Sequence, residues 1–278
     1  MKPIDALQRA VEQVLTDKEQ AWLATKSAQG QQATLIAFVA APRFVTRRPV
    51  AGEALTQLAA AVPGWQPETW TADRLARVYL LAGLPDSDQA VYIQAIENLF
   101  GTAELQELVA LYTALPVLSY PDHWLYRATE AVRSNMGPVF EAIAFFNPYP
   151  RLHFSQPAWN QLILKCIFND KPMHLIDGLM ARANDELAHN LSDLAHERWA
   201  AGRQLPAQAW RLVSSFVDDV IFEDIQTLFR SPDVLNQQAA ALVCSETNYE
   251  PARQLLTQHS LWHQAIMDGS LTWQNLEA

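Results

Sequence analysis

Prolines divide this chain into segments whose length and apolar spacing are those of α-helices. The 278-residue sequence contains 16 prolines, and apolar residues recur between them every three or four positions. From Thr71 to Gly83, a residue suited to an N-cap precedes the apolar positions and a glycine follows them. The same punctuation predicts a helix from Asn184 to Ala201. Because proline is tolerated in the first turn of a helix and not in its interior, we expect successive helices of about three turns.

Signals for β-strands are scarce. The segment Ala33 to Ala41, ATLIAFVAA, is short and apolar, and it fits either a strand or a buried helix. Nine glycines are about half of the average share of about 7%, and glycine is the residue that tight β-turns and phosphate-binding loops require. Consecutive helices must bury their apolar stripes on one another. We therefore predict an all-α fold without a substantial sheet, either a multi-helix bundle or an αα-superhelix, with a HEAT-like segment only at 224–243.

The loop Asn147 to Pro150, with the sequence NPYP, is the clearest break in the helical pattern. We place a boundary there between an N-terminal helical lobe, residues 1–150, and a C-terminal helical lobe, residues 151–278. One continuous domain is equally compatible with the sequence. The two halves differ too little in charge to indicate different partners.

Charge and cysteine content exclude several classes of protein. A formal charge of −10 and a pI near 5.1 argue against nucleic-acid binding, which uses a basic surface. Two cysteines cannot build a disulfide framework.

The N-terminus reads as an amphipathic helix without the apolar core of a signal peptide, and the longest apolar run, 35–41, is far shorter than the roughly 20 residues that span a bilayer. We expect a cytoplasmic chain that does not itself span a membrane.

Motifs for nucleotide binding, nucleophilic catalysis and zinc binding are absent, so no catalytic residue and no cofactor is predicted. Polar residues concentrate in the predicted helix from Asn184, where two acid-x-x-His pairs share a face. If a metal were bound, its ligands would come from His189, Asp193, His196 and Glu197. Both pairs lie on one helix, however, whereas di-iron bundles draw their ligands from several. We therefore favour a solvated face with intrahelical ion pairs.

Cations and tryptophans near this helix suggest a second possibility. Lys165 lies in an otherwise apolar helix, and Arg182 and Arg198 flank the polar segment. Together with tryptophan rings they could form a pocket for an anionic aromatic metabolite. A buried salt-bridge network with Glu197 and Asp177 is at least as good an interpretation. The tryptophans themselves, Trp159 among them, are expected to fill the core.

The order and spacing of residues from Trp159 to Trp210, preceded by the Pro-Tyr-Pro loop, resemble the EboA family of metabolite traffic proteins. The resembling positions are Trp159-Asn160, Lys165, Phe168, Ile176, Gly178-Leu179, Arg182-Ala183-Asn184, Leu187-Ala188, Ala195, Glu197-Arg198, Ala200-Ala201, Arg203 and Trp210. The segment covers about a fifth of the chain. It carries no established catalytic residue that could be transferred to this sequence.

The resemblance implies an all-helical cytoplasmic protein that takes part in moving a secondary-metabolite precursor. It also implies partner proteins of the same pathway, among them a membrane prenyltransferase-like protein. We therefore expect a non-enzymatic binding or adaptor protein whose ligand is a small hydrophobic or aromatic metabolite. A metal-dependent enzyme acting on a small metabolite and a purely structural subunit are the alternatives. The candidate ligand or partner surface consists of Trp159, Asn160, Lys165, Arg182, Asn184, Glu197, Arg198 and Arg203.

Overall fold

A computed structural model describes residues 1–276, which form two compact units. The first unit is Met1–Trp159 and the second begins at Asn160. Within the described residues the backbone forms helices and no β-strand, and Pro49 and Thr71 make an isolated antiparallel bridge. The predicted all-α fold is confirmed. The predicted lobes, 1–150 and 151–278, stay a prediction about independent domains.

The first unit contains ten α-helices and the beginning of an eleventh. Their bounds are α1 Pro3–Val14, α2 Asp17–Ala28, α3 Gln31–Phe44, α4 Glu53–Ala61, α5 Ala72–Ala82, α6 Gln89–Thr102, α7 Leu105–Ala114, α8 Leu125–Arg133, α9 Gly137–Ala144, α10 Tyr149–His153 and α11 Gln156–Phe168. Short 3-10 helices lie at Pro67–Thr69, Leu115–Val117 and Pro121–Trp124. The ambiguous segment 33–41 lies within α3 and is therefore helical.

Helix α5 is the centre of the first unit, where it packs against α1, α3 and α7. Most of its side chains are buried, including the charged Asp73 and Arg77. The Arg77 guanidinium donates through Nε to the Phe38 carbonyl at 3.0 Å. It also lies 3.7 Å from both the Asp73 and the Glu107 carboxylates. Because a buried charge needs partners, this cluster ties α5 to α3 and α7.

The second unit is organised around α14 and a ten-residue 3-10 helix. Its α-helices after α11 are α12 Asp185–Ala200, α13 Asp219–Phe229, α14 Val234–Glu246, α15 Glu250–Gln258 and α16 Ser260–Met267, and its 3-10 helices are Met173–Leu175, Met180–Arg182, Ala207–Phe216 and Trp273–Leu276. The α14 helix contacts α13, α15, α16 and the 3-10 helix 207–216. The stretch Ala207–Phe216 forms the tighter 3-10 type of helix over its whole length.

Both cysteines are buried and unbonded. Burial raises the pKa of the Cys166 and Cys244 thiols to about 12, so both are protonated at neutral pH. Burial therefore argues against a thiol nucleophile at either cysteine. No helix within residues 1–276 is long and apolar enough to cross a membrane.

Candidate functional site

The start of α12 is built by a pair of asparagines from the predicted polar set. Asn184 accepts a hydrogen bond from the Leu187 amide at 2.9 Å, which makes it the N-cap of α12. Its side-chain nitrogen donates to the buried Asn160 amide oxygen at 2.9 Å and to the Arg182 carbonyl at 3.1 Å. The structure thus brings Asn160, Arg182 and Asn184 together. Capping and amide pairing account for both asparagines without a ligand.

Arg198 fastens the end of α12 to the loop that follows α11. Its guanidinium donates to Asp170 at 2.8 Å, to the Gln204 carbonyl at 2.8 Å and to the Ile167 carbonyl at 3.5 Å. The expected partners Glu197 and Asp177 do not hold it. The difference arises because the last turn of α11 and the loop after it present the Ile167 carbonyl and the Asp170 carboxylate, whereas the adjacent Glu197 is exposed on the helix. The structure does not bring Arg198 into contact with Lys165 or Arg182.

The remaining predicted residues differ in their surroundings. Trp159 is fully buried and is a core residue, whereas Glu197 and Arg203 are exposed. Lys165 and Arg182 are half-buried, and burial lowers the pKa of each. Gly178 has a φ of 73°, so the turn before Arg182 by itself requires the glycine.

The histidines of α12 bind carboxylates of α13 and its N-cap. The Nε2 atom of His189 lies 3.0 Å from Asp218, and Nε2 of His196 lies 2.6 Å from the buried Asp224. The pKa of His189 is raised above its ordinary value, first by a hydrogen bond to the Asp185 carbonyl and then by the contact with Asp218.

The two pairs use separate carboxylates, and two further residues of the metal hypothesis, Asp193 and Glu197, are exposed. In the described part of the chain, no group of three or more His, Cys, Asp or Glu residues could hold a metal ion. The sequence favoured ion pairs within α12, and His189 does lie 3.7 Å from Asp185 of the same helix. The shorter contacts of both histidines, however, join α12 to α13 and its N-cap.

The first unit contains a cavity of about 250 Å³ between α5, α7 and α9. Three aromatic side chains, Trp70, Phe145 and Phe146, contribute to its wall. The other lining residues are Thr69, Arg74, Val109, Thr113, Pro138, Glu141, Ala142 and Asn147. Polar and apolar side chains thus share the wall, and a concave site in which polar groups orient a ligand against apolar surface is typical of small-molecule binding.

The wall is shaped by a turn that follows α9. Phe146 has a φ of 50°, a conformation that bulky residues rarely adopt and that tends to occur at functional sites. The buried Asn147 holds this turn, since its amide donates to the carbonyls of Tyr112 and Ala142 at 2.9 and 2.8 Å. The Asn147 oxygen accepts from the Tyr149 amide at 3.0 Å. The NPYP segment is therefore a fixed turn that positions Phe146 against the cavity.

Sequence reasoning missed this cavity. Arg74 lies on α5, half-buried among residues that are mostly apolar, and burial is the main cause that lowers its pKa. The available signals were the charges on an otherwise apolar helix and the aromatic pair Phe145-Phe146 directly before a turn. Neither signal indicates which helices meet, so neither could have located the cavity.

Comparison with known proteins agrees with the predicted resemblance. The family model described as "Metabolite traffic protein EboA" matches residues 4–214. This range includes every residue that lines the cavity as well as α12. No curated protein and no solved structure matches the chain.

Proposed function

The chain belongs to the EboA family of metabolite traffic proteins, and we propose that it is a non-enzymatic binding or adaptor protein that holds a small metabolite in the cavity of its first unit. The observation that carries this proposal is the aromatic wall formed by Trp70, Phe145 and Phe146. A dry cavity of about 150 Å³ is sufficient to bind benzene. The volume of about 250 Å³ therefore suits a molecule of about one substituted ring.

The polar groups of the cavity support binding over catalysis. The Thr113 hydroxyl donates to the Val109 carbonyl at 2.7 Å, and Asn147 uses its amide to hold the turn. Nucleophilic catalysis needs a side chain activated by an adjacent base, and neither group is placed in that way. Neither cysteine lines the cavity. In this proposal the protein works in the cytoplasm on a precursor of a secondary metabolite.

Native mass spectrometry of the protein purified from its own host tests the proposal. We expect a small molecule to accompany the chain, and we expect Ala142→Phe to remove it by filling the cavity. Ala59→Phe is the matched control, because Ala59 is also a half-buried helical alanine of the first unit but lies outside the cavity. Absence of any small molecule, or equal retention by both variants, would contradict the proposal.

The adaptor half of the proposal concerns the surface of the second unit. Glu197 and Arg203 are the exposed charged members of the predicted polar set, so they are the ones a partner could reach. In this proposal they contact a protein of the same pathway, the membrane prenyltransferase-like protein in particular. We expect Glu197→Lys with Arg203→Glu to abolish capture of that protein from detergent solution. Glu223→Lys, at another exposed position, serves as the control; capture by both variants would exclude this surface.

A further inference from the structure

Arg74 differs from other buried or half-buried arginines of the first unit. Arg77, Arg48 and Arg127 each face a carboxylate within 4 Å. Arg74 lines the cavity and, in the part of the chain that the structure describes, makes no hydrogen bond or ion pair with a protein group. Its neighbour Asp73 turns toward Arg77. Asp73 attracts Arg74 electrostatically, but no carboxylate of the described residues forms an ion pair with this guanidinium at the cavity wall.

Partial removal of the Arg74 guanidinium from water costs free energy unless an anion pairs with it. Removal of a charge from water is unfavourable without a partner, and a guanidinium matches a carboxylate through two parallel hydrogen bonds. The aromatic side chains Trp70, Phe145 and Phe146 offer contact area for an apolar body attached to the anion. The strained φ of 50° at Phe146 places one of these rings at the cavity. Charge and shape thus favour the same type of ligand.

The lining also limits how much negative charge can enter. Glu141 is the acidic residue of the cavity wall, and it has an interaction partner of its own. Because its negative charge offsets the positive charge of Arg74, the wall has no excess positive charge that would balance a dianion. A carboxylate with a single charge fits this combination better than a phosphate.

We propose that the cavity binds a small aromatic or apolar carboxylate, with Arg74 as the counter-charge and Trp70, Phe145 and Phe146 around its ring. This inference rests on the proposed function and names the ligand class of the same cavity. It assigns no reaction to the site.

Calorimetric titration with benzoate, benzamide and phenyl phosphate tests the ligand class. The first two probes have almost the same shape, and only benzoate is charged. We expect the wild-type chain to bind benzoate at least roughly tenfold more tightly than benzamide. Arg74→Gln should remove this difference, Arg74→Lys should retain part of it, and Arg9→Gln should retain all of it. Arg9 is an exposed arginine of the same unit, so its substitution changes the net charge equally.

A stability measurement separates this role from a structural one. If Arg74 held the fold together, Arg74→Gln would lower the urea midpoint. We expect it to leave the midpoint unchanged or to raise it, because the substitution removes an unpaired, partly desolvated charge. A clear drop in the midpoint would overturn the inference.

The probes also separate failure of this inference from failure of the proposed function. If the wild-type chain bound benzoate and benzamide equally, and Ala142→Phe bound neither, the cavity would remain a binding site and the role of Arg74 would be overturned. Tighter binding of phenyl phosphate than of benzoate would overturn the choice of a carboxylate. No benzoate binding at millimolar concentration would overturn the inference altogether, whereas the proposed function is decided by the small molecule found in native mass spectrometry.

Discussion

Glu19→Gln should destabilise the chain in a way that depends on pH. Glu19 is a buried carboxylate on α2 that accepts four hydrogen bonds. Two come from the Arg48 guanidinium at 2.9 and 2.8 Å, and two come from the backbone amides of Thr16 and Thr46 at 2.9 Å. The uncharged Gln side chain would keep one acceptor oxygen and would face these donors with an NH₂ group.

The size of the effect follows from the pKa of Glu19. The hydrogen bonds from Arg48 are the largest cause, and they lower this pKa from 4.5 to about 2. A difference of this size corresponds to roughly 3 kcal/mol of folding free energy at pH 7, at about 1.4 kcal/mol per unit. Since the folded-state pKa is depressed, this contribution is complete above the unfolded-state pKa and is lost as the pH falls toward 2. The same relation leaves under half of it at pH 3.

Urea unfolding at several pH values between 7 and 3 measures this difference. We expect the gap in unfolding free energy between wild type and Glu19→Gln to be widest at pH 7 and to narrow on acidification below about pH 4.5. Glu12→Gln is the control, because Glu12 is an exposed carboxylate of the same unit whose side chain accepts from Gln8. A gap that stays constant with pH, or that matches the control at pH 7, would refute the reasoning.

Three further predictions concern the turn after α9 and the contacts of α12. Phe146→Gly should be more stable than Phe146→Ala by about 1 kcal/mol in urea unfolding, because glycine adopts a φ of 50° without strain; equal stabilities would argue against strain. Asn147→Ala should lower the unfolding free energy by about 2–4 kcal/mol, because it removes this donor from one buried and one part-buried carbonyl. A loss under about 1 kcal/mol would contradict this role. An NMR titration should give His189 a pKa above its ordinary value of 6.5, owing to the Asp185 carbonyl and Asp218. The stabilisation from this contact is then present below the unfolded-state pKa and lost as the pH rises through the folded-state pKa. His189→Gln should therefore destabilise the chain at acidic pH and have no effect on its stability at alkaline pH. A measured pKa at or below 6.5 would exclude the ion pair.

Local signals in the sequence predicted the helices well. The N-cap Asn184 and the end of α12 near Gly202 follow from residue type alone, because capping depends on a few adjacent residues. The segment 33–41 could not be resolved in this way, since a short apolar run fits both types of element. It is helical because α3 packs against α2 and α5, and that packing is not visible in the local pattern.

The candidate sites were less accessible to sequence reasoning for a physical reason. Whether a charged side chain belongs to a binding site or to a structural ion pair depends on the groups that it contacts. Those groups lie far from it in the sequence. Arg198 was expected to pair with Glu197 or Asp177, and it pairs with Asp170. Nothing in the sequence around Arg74 indicates that the fold places this arginine beside a cavity. The resemblance to the EboA family did identify the family correctly, because it depends on the order of residues and not on their contacts.

The turn held by Asn147 bears on how the cavity could select its contents. The side chain of Asn147 is tied to α7 and α9 by hydrogen bonds, so the backbone of the turn that carries Phe145 and Phe146 is held in place. Both rings are half-buried, but the turn beneath them cannot move outward for a bulky guest without breaking these bonds. Selection would then be steric. Molecules of several rings would not fit the cavity, whatever polar groups they carry.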